Sequence, residues 1–431
     1  MRLTNVAQMS LPRGTLHSFA THAEERTGRA LPISFDQRRH VSQGARPGSW
    51  MAVAFRLPAA ATLDDVAAAW LAVIGRHGTL RSAFSYDRAG ELALHEIEIA
   101  GGEWLRHPVG GDELTRDVLR GVLDAACSPF QRPSHRVCVL TPDAPDPLDP
   151  RSTAIIGSDH AHVDMWSLLI LVRDMIAELT GFPDSGPDAP PSFAEHSDVL
   201  ERMPPAPVDV QRRWGDILAV EGGTMPTFPL PLGDVSAPRP EVVEVRDVLS
   251  ADEARAFEAR ASDRGVRMTA LALSVLAETT ARMGGTPLRA VFPVHSRNEP
   301  RWHDSVGWFI TNSVIQFVDT GPAASANAVK DALALGSYPV APIFAPYGGM
   351  PAGPGMFAIS WLDTRRLPAV EAALGIQHVS AVIDTDGVMI WFIVNDDGLH
   401  LRCRYPDTAE ARTNVGAWLD RVEEGLRAIV A

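Results

Sequence analysis

Proline-dense sequence in the middle of the chain limits how its 431 residues can divide into folded units. Prolines and glycines crowd residues 183–240, and proline interrupts helices and sheets alike. Both flanks mix helical and strand-like patterns. The sequence therefore predicts an α/β (α+β) chain with an N-terminal half at 1–182, a Pro-rich connection at 183–240 and a C-terminal half at 241–431.

Local signals support mixed secondary structure in both halves. Thr62 is typical of a helix N-cap, and Ser250 with Glu253 has the spacing of a capping box. The short apolar run at 152–158 is typical of a buried strand, and 241–249 alternates as a half-buried strand does. Each half is therefore expected to contain a sheet with helices packed against it.

The charge balance narrows the possible functions. The chain carries 39 Lys+Arg against 53 Asp+Glu, a formal net charge of −14, so it lacks the basic character of a general nucleic-acid binder. Lys330 is the single lysine of the sequence. The chain therefore has no phosphate-binding loop of the G-x-x-x-x-G-K-[ST] type and one poor candidate for Schiff-base catalysis.

The cysteines and the apolar runs point to a cytoplasmic protein. Cys127, Cys138 and Cys403 are scattered and include no C-x-x-C pair, which favours a reducing compartment over a disulfide framework. The N-terminus lacks the apolar stretch of a secretory signal, and no run is long enough to cross a bilayer. We expect no membrane and no nucleic-acid partner.

The segment 158–167 (SDHAHVDMWS) carries the most informative chemistry. It joins the buried-strand pattern to an amphipathic helical pattern, so its side chains are expected at a rigid strand end beside a helix N-terminus. Such a position favours negative charge. It therefore suits a base and the stabilisation of a developing oxyanion.

Three interpretations of this segment remain open from the residues alone. In the first, Asp164 caps a helix and His160 and His162 are ordinary turn residues. In the second, H-x-H-x-D begins a zinc site like that of metallo-β-lactamase-type hydrolases, although Met165 stands where that motif has a further histidine. In the third, His160 and Asp164 form an H-x-x-x-D pair of a general base and a structural carboxylate.

The sequence resembles the condensation-domain superfamily, which includes nonribosomal peptide synthetase condensation domains, polyketide-associated acyltransferases and, more distantly, chloramphenicol acetyltransferase. The superfamily motif H-H-x-x-x-D-G-x-S matches residues 159–167 (DHAHVDMWS). Further signatures appear in the expected order, at 34–39 (SFDQRR), 76–84 (RHGTLRSAF), 193–196 (FAEH), 293–297 (PVHSR) and 306–312 (VGWFITN). The resemblance extends from about residue 31 to the end of the chain.

This resemblance implies acyl transfer in a fold of two chloramphenicol acetyltransferase-like halves, arranged in a V around a central substrate tunnel. The donor would be a thioester, on the phosphopantetheine arm of an acyl or peptidyl carrier protein or on coenzyme A, with no cofactor bound. The acceptor would be a small amine or hydroxyl compound. We expect a free-standing enzyme of nonribosomal peptide or polyketide metabolism.

The resemblance also implies roles for individual residues. His160 is the expected catalytic histidine, and Asp164 pairs with Arg297 to support the site. The expected tunnel-lining residues are Met165, Trp166, Trp308, Asn312 and Ser360.

Two residues depart from the superfamily motif. Asp159 replaces the first histidine, where we expect a supporting structural role, and Met165 replaces the glycine, where we expect a narrower acceptor side. These departures favour, as an alternative, a catalytically silent recruitment module. The retained His160 and Asp164 favour an enzyme, and a zinc hydrolase is the remaining alternative.

Overall fold

The computed structural model describes residues 2–25, 30–144, 146–147, 149–181 and 188–431. Residues 183–187 of the predicted Pro-rich connection therefore lie outside the described residues. The described remainder of that connection contains two helices. Both fit between the prolines, since Pro191 precedes the first helix and Pro207 stands at the N-cap of the second.

The chain forms two compact units. The first contains Met1–Arg202, Arg297–Phe309 and Arg366–Val382, and the second contains Met203–Ser296, Ile310–Arg365 and Ile383–Ala431. Segments 297–309 and 366–382 thus come from the later part of the sequence and pack in the first unit.

The described residues form fifteen strands in chain order. They are β1 (Arg2–Asn5), β2 (Gly14–Glu25), β3 (Trp50–Arg56), β4 (Ser82–Tyr86), β5 (Leu92–Pro108), β6 (His135–Pro142), β7 (Thr153–Asp159), β8 (Arg239–Ser250), β9 (Arg289–His295), β10 (Ile310–Gln316), β11 (Phe357–Asp363), β12 (Gln377–Ser380), β13 (Asp384–Thr385), β14 (Val388–Asn395) and β15 (Gly398–Pro406).

The same residues form eleven α-helices. They are α1 (Phe35–Val41), α2 (Leu63–Arg76), α3 (Thr115–Ala126), α4 (Met165–Thr180), α5 (Phe193–Arg202), α6 (Val208–Val220), α7 (Ala251–Asp263), α8 (Met268–Gly284), α9 (Pro322–Leu335), α10 (Ala341–Phe344) and α11 (Ala409–Ala428). The predicted caps are confirmed, because Thr62 and Ser250 begin α2 and α7 with complete capping boxes. The predicted α/β class is confirmed as well.

The sheet of the first unit has the strand order β1-β12-β3-β7-β6-β2-β5-β4. Every residue of β7 is buried. Ile156 packs into the core with α2 and α4, while a Cβ added at Gly157 would lie 2.6 Å from Leu123 Cδ2 of α3. Because both faces of β7 are covered, even its polar residues are buried, and its end at Asp159 is held firmly.

The sheet of the second unit has the strand order β10-β9-β11-β14-β15-β8-β13. Its apolar core includes residues of α7, α8 and α11. Side chains alternate along a strand, so Ser360, next to the core residue Ile359, faces away from these helices. Asn312 also faces away from the helices, because the hydroxyl of the adjacent Ser313 donates to the Ala332 carbonyl of α9 at 2.6 Å.

Among the residues that the structure describes, none of the helices combines the length and apolar character that a bilayer-spanning segment needs.

Candidate active site

The motif segment 159–167 is pinned by neighbouring backbone at the end of β7. The amide of Asp159 donates to the Ser134 carbonyl at 2.8 Å, and the amide of His160 donates to the Ser49 carbonyl at 2.9 Å. A 3₁₀ turn, His160–His162, follows, and then α4 begins. Each of these two helical segments is N-capped by a motif aspartate.

The signature at 34–39 places α1 against this turn. Ser34 and Gln37 form a capping box at the start of α1. The side-chain amide of Gln37 also donates to the Ala161 carbonyl at 2.8 Å. One glutamine therefore begins the helix and joins it to the motif.

Asp164 and Arg297 form a buried, bidentate salt bridge in the first unit. Arg297 Nη1 lies 2.5 Å from Asp164 Oδ2, and Nη2 lies 3.1 Å from Oδ1. Both residues are 2% exposed. The carboxylate also accepts from the amides of Ser167 and Phe309, at 2.7 and 3.1 Å. Asp164 therefore ties the start of α4 to the segment 297–309 and has no role as a proton acceptor in this arrangement.

The electrostatics keep Asp164 ionised. Burial alone would raise the pKa of this carboxyl, but the charge and hydrogen bonds of Arg297, with those from Ser167, outweigh burial and lower the pKa. The arginine is itself fixed, because Nη2 donates to Ser167 Oγ at 2.8 Å and its guanidinium lies 4.0 Å from the centre of the Phe309 ring.

His160 presents one ring nitrogen as an acceptor. Its Nδ1 lies 2.9 Å from the Val163 carbonyl oxygen. A carbonyl oxygen accepts and never donates, so Nδ1 carries the proton and Nε2 of the neutral ring has the free lone pair. The residue is half-buried. Burial is the main cause that lowers the pKa of His160, which favours the neutral, basic form.

Trp308 covers one face of this imidazole. The two rings are stacked, with centroids 4.0 Å apart and planes 14° from parallel. Met165 and Trp166 begin α4 in the same unit, and the indole nitrogen of Trp166 donates to the His303 carbonyl at 2.9 Å. The first unit therefore contains His160 and three of the expected tunnel residues, of which Trp308 contacts the His160 ring. Asn312 and Ser360 belong to the second unit.

Asp159 does not pair with an arginine directly. Its carboxylate lies 3.3 Å from His40 Nε2 and accepts from the amide of Ala161 at 2.9 Å. Sequence reasoning missed His40, although this residue follows the 34–39 signature directly. The contact spans 119 residues, and no local pattern marks such a pair.

Two of the three residues of the alternative H-x-H-x-D zinc site, His162 and Asp164, are engaged by other partners. His162 is 2% exposed, and its Nδ1 lies 3.0 Å from Ser134 Oγ, while Asp164 is bound by Arg297. In the described part of the chain, no group of three or more His, Cys, Asp or Glu side chains is arranged to hold a metal ion.

Comparisons with known proteins show what the sequence and the fold are similar to. No family model matches the chain. The acyltransferase PapA3 of Mycobacterium tuberculosis is 26% identical over 298 residues, covering 65% of this chain and 61% of PapA3. The chain therefore spans about three-fifths of the length of this curated relative.

Solved structures show the same fold. A structure described as PapA2 acyl transferase superposes with a TM-score of 0.84 at 19% identity, over 100% of both chains. The first condensation domain of the calcium-dependent antibiotic synthetase superposes with a TM-score of 0.69 at 11% identity, over 94% of this chain and 97% of that one. The fold is therefore of the condensation type. The chain is thus similar in fold to condensation domains and to PapA2, the kind of protein that the sequence signatures resemble.

Proposed function

We propose that the chain is a condensation-type acyltransferase. It would join an acyl or aminoacyl group, held as a thioester on a carrier protein or on coenzyme A, to an amine or hydroxyl acceptor. The observation that carries this proposal is the hydrogen bond from His160 Nδ1 to the Val163 carbonyl. This bond leaves Nε2 as a fixed proton acceptor on a half-buried imidazole.

His160 would act as the general base. Its Nε2 accepts the proton of the acceptor as the nitrogen or oxygen attacks the thioester carbonyl carbon. The resulting oxyanion collapses, the carbon–sulfur bond breaks, and the thiolate takes the proton that His160 held. A positioned base of this kind contributes roughly 10²–10⁴-fold to the rate.

Asp164 would have a structural role in the site. Because Arg297 and two backbone amides occupy its carboxylate, it fixes the loop that carries His160 without contacting substrate. We further propose that Met165, Trp166, Trp308, Asn312 and Ser360 contact the substrates. An acyl or peptidyl carrier protein as partner, a cytoplasmic location and a role in nonribosomal peptide or polyketide metabolism complete the proposal.

The test supplies the same acyl chain on coenzyme A and on a carrier protein, with an amine or an alcohol as acceptor. Released thiol is measured with a thiol reagent, and the product is identified by mass spectrometry. The three cysteines of the chain are buried, so the folded protein should add little background. Acceptor-dependent product in a His160-dependent reaction supports the proposal. Equal thiol release by wild type and His160→Gln, with no product from either donor, would favour the silent recruitment module.

The pH dependence of the reaction should report the lowered pKa of His160. A lowered pKa means that the neutral base is already formed below about pH 6.5, the ordinary value for histidine. We expect kcat/KM to rise with pH through a midpoint below about 6.5 and then to stay level to about pH 8. An alcohol acceptor avoids titration of the nucleophile. A midpoint above the ordinary histidine value would contradict this assignment.

A further inference from the structure

Arg46, His40 and Asp159 form a chain of hydrogen bonds in the first unit. Arg46 Nη2 lies 3.1 Å from His40 Nδ1, and His40 Nε2 lies 3.3 Å from Asp159 Oδ2. A guanidinium has donors and no acceptor, so His40 Nδ1 accepts from Arg46. The ring proton is therefore on Nε2 and is donated to Asp159. Since both ring nitrogens are engaged, the plane of the His40 ring is fixed.

His40 and Asp159 are the buried members of this chain of hydrogen bonds, Arg46 is half-buried, and the charges at the two ends are balanced. His40 is 9% exposed and Asp159 is fully buried. Burial would raise the pKa of Asp159, but the hydrogen bonds from His40 and Ser49 and the surrounding charges together outweigh burial and lower the pKa, so the carboxylate stays ionised. The positive charge of Arg46 at the other end of His40 compensates this negative charge.

The fixed His40 ring packs against Trp308, the residue that stacks on the candidate base His160. The rings of His40 and Trp308 pack against each other, with centroids 5.2 Å apart and planes at 76°, a favourable edge-to-face arrangement. Trp308 in turn lies flat on His160. His40 also approaches His160 itself, at 6.0 Å between ring centroids. A tilt of the indole away from His160 would therefore disturb a ring that two hydrogen bonds hold in place.

We infer that His40 is a positioning residue for His160, acting through Trp308, and that Asp159 serves the site by holding His40. This inference rests on the proposed function of His160 as the base. The Val163 carbonyl fixes one edge of the imidazole and Trp308 covers one face, so together they fix the direction of the Nε2 lone pair. Asp159 stands in the place of the first motif histidine and supports the site through its hydrogen bond with His40.

Proton NMR of the full chain without substrate detects the stacking of Trp308 on His160 directly. Ring currents of a stacked indole move the carbon-bound imidazole protons upfield, and the His160 signals are those that disappear in His160→Gln. Trp308→Leu should abolish the upfield shift. His40→Ala should remove most of it, because the indole loses its brace. His17→Ala is the matched control, since His17 packs against a different tryptophan, Trp104.

Kinetics give the second readout. We expect His40→Ala to lower kcat by about 10- to 100-fold, since a displacement of about 1 Å at a reacting centre can cost 10²-fold, with a smaller change in KM. His40→Phe keeps an aromatic edge against Trp308 and should recover part of both the shift and kcat. This variant also decides the outcome if His40→Ala fails to fold.

Two results would overturn the inference, and a third would refute the proposed function on which it rests. His160 signals that do not change in Trp308→Leu would mean that the stack is absent in solution. Unchanged His160 signals and unchanged kcat in folded His40→Ala or His40→Phe would show that His40 does not position the base. Full activity of His160→Gln would instead refute the proposed function, while the NMR shifts would still report whether His40 holds the stack.

Discussion

Replacing His160 by glutamine should lower kcat/KM for acyl transfer by about 10²–10⁴-fold. Glutamine can still donate to the Val163 carbonyl, but it has no basic nitrogen to accept a proton. The half-buried ring makes one hydrogen bond to that carbonyl, so the free energy of unfolding should change by no more than about 1 kcal/mol. Steady-state thiol release and thermal unfolding measure the two effects separately.

His22→Gln is the matched control for this loss. The His22 side chain is 61% exposed and lies 3.7 Å from Glu103, so its replacement should leave both activity and stability unchanged. If His160→Gln kept the wild-type kcat/KM with a thioester donor that the wild type uses, general-base catalysis by this residue would be excluded.

Replacing Asp164 by asparagine should lower the free energy of unfolding by about 3–5 kcal/mol. The change removes the negative charge but keeps the shape, so the buried Arg297 loses its counter-charge. Activity should fall as well, because the loop that carries His160 is anchored at this carboxylate. Urea unfolding followed by circular dichroism measures the loss.

The exposed pair of Asp198 and Arg202, four residues apart on α5, provides the control. Exposed pairs of this type contribute about 0.3–0.5 kcal/mol, so Asp198→Asn should have a much smaller effect. An Asp164→Asn variant as stable as Asp198→Asn would show that the buried bridge does not hold the loop.

The buried pair of Asp164 and Arg297 should make the stability of the wild type sensitive to acid. The pKa of Asp164 is lowered in the folded state. Its contribution to the free energy of unfolding is therefore fully present above the pKa of the unfolded chain, about 3.9. This contribution is lost as the pH falls through the folded value. In Asp164→Asn this part of the pH dependence should be missing, and unfolding measured from neutral pH to below about pH 4 checks it.

The sequence predicted the features that short patterns encode. Helix starts at Thr62 and Ser250 follow from local hydrogen bonding, and β7 follows from an apolar run with both faces covered. The link between Asp164 and Arg297 spans 133 residues, and no spacing rule could have shown it. It was expected because ordered superfamily signatures include both residues.

The partners of Asp159 could not be predicted in the same way. His40 and Arg46 come from the end of α1 and the loop after it, and their contact with the motif depends on how α1 packs on the 3₁₀ turn. The packing of 297–309 and 366–382 in the first unit also depends on tertiary contacts. Local sequence periodicity carries no information on either.

The protonation pattern of the His160 ring tests the central claim most directly. Long-range ¹H–¹⁵N correlation spectra at about pH 7.5, above the ordinary histidine pKa, distinguish a protonated ring nitrogen from one with a lone pair. His160→Gln identifies the signals. We predict a neutral ring with the proton on Nδ1 and the lone pair on Nε2. A proton on Nε2, or a doubly protonated ring at this pH, would contradict the account.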